Sequence, residues 1–72
     1  MNQGVKLFDV VTLAQDLPQQ GLVRGQVGTV VEQYAPDAFA IELSDNNGRT
    51  YALVTLRAEQ FFALRYEPLQ AA

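Results

Sequence analysis

The segment APDAFAIELSDNNGRTYALVTL, residues 35–56, constrains the fold more than any other part of the chain. Pro36 and Asp37 supply turn chemistry. Phe39, Ile41 and Leu43 then alternate with Ala38, Ala40 and Glu42, the period of two that sends successive side chains to opposite faces of a strand. DNNG follows, and Asn47-Gly48 is the pair best able to adopt the left-handed angles of a tight hairpin. The return strand runs from Thr50 to Leu56. Tyr51, Leu53 and Thr55 take one face of it, and Ala52, Val54 and Leu56 the other. Both faces are largely apolar, which predicts a central strand covered on each side.

Upstream, GLVRGQVGTVVEQY (Gly21 to Tyr34) brings three glycines in eight residues and then a β-branched run. Spaced glycines cradle a phosphate when a helix follows them, because its first amides face the anion. Thr29, Val30 and Val31 lower helix propensity and favour a pleated strand. No Gly-Lys-Ser/Thr occurs either. The glycines therefore read as backbone geometry: Gly25 for a positive φ, and Gly28 for a bend or a close approach where the second strand begins.

The first strand is read over Val10 to Leu13. Asp16, Pro18 and Gly21 make the loop after it, and Leu17 and Leu22 pack the loop's ends under the sheet. After Leu56, Arg57 to Gln60 fit one helical turn, and Phe62, Leu64 and Tyr66 a short last strand. A tail helix over residues 58–65 is the alternative, although Phe61, Phe62 and Leu64 form no helical stripe. About five short antiparallel strands with little helix form an all-β meander. At this length the sheet must curl to cover its edges and apolar face. The expected fold is a small, partly open barrel of SH3-like type with a long first loop. It forms one domain over residues 1–66, with a frayed tail at 67–72.

Composition narrows the chemistry. The 72 residues include no cysteine and no histidine, so disulfides, thiolate nucleophiles, the usual zinc sites and the commonest general base are excluded. No catalytic constellation accompanies the carboxylates, and no cofactor or metal is expected. DNNG lacks the alternating carboxylates and closing Glu of a calcium loop. The N-terminal MNQGVKLFDV has no signal-peptide pattern, and no apolar run has the length of a membrane-spanning helix, so a cytoplasmic protein is expected. The formal net charge is −3, and Lys6, Arg24, Arg49, Arg57 and Arg65 are scattered singly. A nucleic-acid binder ordinarily carries a basic stripe. The acidic balance fits a basic protein partner better.

The pieces VKLFDVVTLAQDLPQQGLVRGQVGTVVEQY and GRTYALVTLRAEQF resemble the short bacterial and cyanobacterial proteins grouped as domain of unknown function 4926. The resemblance covers Val5 to Leu64, with QYAPDAFAIEL as its variable part. It implies an SH3-like fold and no enzymatic activity. Similar small proteins are encoded beside toxin domains, which implies for some members an immunity or antitoxin role. The RGQVGTVVE stretch is also similar to the glycine-centred loop of RNA-touching SH3-like domains, but there basic residues crowd the loop, and here Arg24 stands with Glu32 close by.

The residues expected to meet a partner are Asp16, Glu32, Asp37 and Glu42 as exposed carboxylates, Arg24 and Arg49 as guanidinium groups in or beside turns, and Tyr34 as an exposed aromatic anchor. Asp9 and Asp45 are further exposed acids. With no tryptophan and few spare aromatics, a proline-rich peptide groove is disfavoured. The resulting expectation is a non-catalytic protein-binding module, most concretely an immunity or antitoxin-type inhibitor covering the cleft of a basic, nuclease-like toxin. The alternatives are an RNA- or ribosome-associated accessory domain and a structural subunit of a larger assembly. Charge placement discriminates. Basic residues gathered on one face favour nucleic acid, and carboxylates on the widest open face favour a protein partner. Nothing in the pattern specifies an oligomeric state.

Overall fold

The computed structural model describes residues 4–64. Five antiparallel strands form one unclosed sheet: β1 (Val10–Leu13), β2 (Val27–Ala35), β3 (Ala38–Ser44), β4 (Thr50–Leu56) and β5 (Phe61–Ala63), in the spatial order β4-β3-β2-β1-β5. Two 3-10 turns, Pro18–Gln20 and Ala58–Gln60, are the only helical elements among the described residues. This is the all-β, partly open small barrel that the strand pattern predicts.

The core lies on the concave side of the sheet. Val11 and Leu13, Val30, Phe39, Ile41 and Leu43, Val54 and Leu56, and Phe61 are buried from all five strands. Leu17 and Leu22 reach in from the first loop and exchange two backbone hydrogen bonds of 2.9 and 3.1 Å. They close that loop as expected, while Pro18–Gln20 winds as a 3-10 turn between them and ends on left-handed Gly21. Phe39 and Phe61 meet edge to face, their centroids 5.5 Å apart, and join β3 to β5 across the core.

Gly28 performs the close approach anticipated for it. A Cβ there would stand 2.7 Å from Ile41 Cγ2 and 2.9 Å from the Glu42 carbonyl oxygen. Its neighbours Thr29 to Glu32 are strand, so no helical amides follow the glycines and no phosphate cradle forms.

Three expectations are corrected. β4 is an edge strand with one solvent-facing side, because it pairs with β3 alone. Apolar Leu53 on that side is simply exposed, at 64%. In the β3–β4 connection only Gly48 is left-handed, at φ 79°; Asn47 keeps a negative φ. Asp45 explains the difference. Its Oδ1 accepts the N–H groups of Asn47 and Arg49, both at 2.9 Å, and Tyr51 becomes the extra residue of a bulge where Leu43 and Ser44 change register. Finally, β5 spans Phe61–Ala63, so Leu64 follows the strand, and no helix occupies 61–64. Tyr66 and the tail at 67–72 lie outside the described residues.

Candidate functional site

Alternation and register assign the regularly paired strand residues to a face. The concave side takes the core, and the convex side takes Val10 and Thr12, Val27 and Thr29, Ala40 and Glu42, Leu53 and Thr55, and Phe62. Across β1 to β4, Val10, Thr29, Glu42 and Leu53 form one continuous row. Phe62, Thr12 and Val27 form the next. Val27, Leu53 and Phe62 are all substantially exposed there. Bulged Tyr51 has no register partner, and its hydroxyl accepts from Gln26 Nε2–H at 3.2 Å.

Two carboxylates stand on this face. Glu42 is half-buried in the middle of β3. Glu32 joins it because β2 carries a bulge: Val30 pairs with Ile41 and Glu32 with Ala40, so Val31 is the inserted residue. Strict alternation after inward-facing Val30 would turn Glu32 toward the core, and the bulge restores it to the convex side. Glu32 and Glu42 are then diagonal neighbours across buried Ala40, about 7–8 Å apart. Neither has a side-chain partner among the described residues, and no lysine or arginine lies on the strand positions of this face.

The remaining predicted residues are distributed elsewhere. Asp16 and Arg24 both belong to the first loop, and Asp16 Oδ1 accepts the Arg24 backbone N–H at 2.9 Å. Asp37, in the two-residue β2–β3 connection, accepts the Ala58 N–H at 2.9 Å and fastens the second 3-10 turn to that hairpin. Arg49 is exposed in the β3–β4 loop, at the same end of the sheet as the first loop. Tyr34 is 62% exposed, at the second irregularity of β2. The structure thus brings Glu32 and Glu42 together, leaves Asp16, Arg24, Asp37 and Arg49 in loops off their strand rows, and sets Tyr34 toward the far end of β2.

The described basic residues divide between the two ends of the sheet. Arg24 and Arg49 sit in loops at one end, and Lys6 precedes β1 at the other. Arg57 follows β4 and makes the one ion pair among the described residues, 3.5 Å to Glu59, with both side chains well exposed. Such a pair contributes about 0–1 kcal/mol. No three carboxylates among the described residues gather as metal ligands.

Sequence reasoning singled out Tyr34 as the exposed aromatic and missed three more, Phe62 at 54%, Tyr51 at 47% and Phe8. Phe8 is 72% accessible and holds φ 72°, the one described non-glycine residue in the left-handed region. A tight turn causes it: the Asp9 N–H donates to the Lys6 carbonyl, and Asp9 Oδ2 accepts the Lys6 N–H. Phe8 donates its own N–H to the Val30 carbonyl. Leu7 and Phe8 therefore project from the end of the sheet beside the second half of β2. No side-chain pattern announces this, because a positive φ is a property of the backbone.

Five antiparallel strands, a long tethered first loop, a convex face of apolar and threonine side chains and a diagonal carboxylate pair define a small SH3-like β domain with an open sheet surface. The chain belongs to the family described as domain of unknown function (DUF4926), whose model matches residues 7–63. No curated protein and no solved structure matches it. No helix among the described residues is long and apolar enough to cross a membrane.

Proposed function

We propose that this domain is a non-catalytic protein-binding module of the cytoplasm that docks on a basic protein, most concretely as an immunity or antitoxin-type inhibitor covering the active cleft of a nuclease-like toxin. The observation that carries the reading is the convex face. Glu32 and Glu42 stand there as neighbours with no ion pair among the described residues, together with exposed Val27, Leu53 and Phe62. Two like charges at this spacing repel weakly in the free protein, and a partner's lysine or arginine set between them removes the repulsion. The apolar residues around them supply area that such a contact desolvates. Division of the described basic residues between the two ends of the sheet disfavours a phosphate backbone, which needs several cations on one track.

The test uses the purified product of the adjacent gene as the partner. Binding is expected to weaken at least about tenfold in Glu32→Lys/Glu42→Lys, mainly through a slower association rate, and to weaken with added salt in the unmodified protein. Arg24→Ala/Arg49→Ala should bind as the parent does. Salt-sensitive retention of RNA in a gel shift, lost in Arg24→Ala/Arg49→Ala and kept in the glutamate variant, would overturn the reading in favour of an RNA-associated domain.

A further inference from the structure

We infer that the free edge of β4 is a self-association surface, on which a second copy of this chain pairs antiparallel across a two-fold axis. The inference stands on β4 alone and does not depend on the nature of any other partner. Sheets expose two edges, and proteins blunt them with short strands, charges, proline or bulges. Here the β5 edge is three residues long, and β4 is seven. Thr50–Leu56 carries neither a charge nor a proline. Its bulge lies at its beginning, so Ala52 to Leu56 pair regularly with β3. None of its backbone groups bonds a loop or turn of the described chain. One row of N–H and C=O groups along five regular residues therefore remains available as a template.

The sequence of that strand suits a copy of itself. A two-fold axis at Val54 uses all five regular residues, setting Leu53 against Thr55 of the second copy on the convex side and Ala52 against Leu56 on the other. No like charges meet, and exposed Leu53 gains a neighbour. The nearest charge on the adjoining strand is Glu42, opposite Leu53. In the paired form the two Glu42 strands are separated by three inter-strand spacings, about 14 Å, beyond the Debye length at physiological salt. An uncharged edge thus joins while the acidic positions stay screened from each other. Edge pairing of this length buries little surface, so the dimer is weak and concentration-dependent.

Sedimentation equilibrium of the full chain over about a hundredfold concentration range tests this. The average mass is expected to rise from the monomer value toward twice that value. Leu53→Lys/Thr55→Lys, which places lysines opposite lysines, should stay monomeric at every concentration with an unchanged thermal melt. Amide exchange along residues 52–56 should slow as concentration rises, while that of β5 should not. A parent protein that remains monomeric throughout overturns the inference. So does a dimer that survives the lysine pair, or one that is abolished instead by Val27→Lys on the convex face.

Discussion

Individual residues here hold backbone positions that their side chains alone would not suggest. Gly28 is the tightest case. Its missing Cβ lets β2 approach β3 within contact of the Ile41 side chain and the Glu42 carbonyl. A methyl group could displace Ile41 but not the backbone oxygen, so Gly28→Ala should destabilise the fold by about 1–3 kcal/mol, read as a lower urea midpoint with unchanged slope. Phe8 is the opposite case. An L-residue in the left-handed region costs about 1–2 kcal/mol, and glycine avoids that cost while giving back part of it through unfolded-chain entropy. With the ring 72% exposed, little packing is lost. Phe8→Gly should therefore melt no lower than the parent and up to about 1 kcal/mol more stably. A loss larger than that would mean that the ring packs on the sheet.

At the scale of elements, the β3–β4 hairpin shows how far a local signal carries. Asp45–Gly48 marks the turn correctly, yet the work falls to Asp45 and Gly48 and not to the Asn-Gly pair as a unit. Gly48→Ala should cost about 1–2 kcal/mol, since φ 79° is strained for any side chain, whereas Asn47→Ala should stay within about 0.5 kcal/mol; thermal melts of the two separate them. Strand positions were legible because β-branched runs and period-two alternation report the pleat directly. The place of β4 in the sheet was not. Apolar residues on both faces suggest a covered strand, but a small domain leaves much apolar surface in water, and composition cannot distinguish the two. The candidate site was half legible for a related reason. Glu32 and Glu42 were both expected at a surface, but their juxtaposition depends on the Val31 bulge, one inserted residue that reverses the facing of the β2 residues next after it.

At the scale of the whole molecule, the described acids separate by side-chain length. Asp9, Asp16, Asp37 and Asp45 each accept a backbone N–H within 2.9 Å and so brace a turn or loop. A short carboxylate reaches the amides beside it; a glutamate extends past them. Glu59 pairs with Arg57, and Glu32 and Glu42 are left on the convex face. Four of the acids thus brace the backbone while keeping their charge, and among the described residues Glu32 and Glu42 are the carboxylates with no such bond and no ion pair. This division predicts opposite responses to neutralisation. Asp37→Ala removes the acceptor for Ala58 N–H and should cost about 0.5–2 kcal/mol at any ionic strength, because a hydrogen bond at a cap is little screened. Glu32→Gln/Glu42→Gln removes only a like-charge contact. It should leave stability unchanged or raise it by about 0.5 kcal/mol at low salt. In about 1 M salt, where the Debye length shrinks to about 3 Å, that gain should vanish. Urea unfolding of both variants at the two salt levels decides the matter. If the glutamine pair destabilises the fold equally in both, these carboxylates brace the sheet, and the convex face loses the feature that marks it for a basic partner.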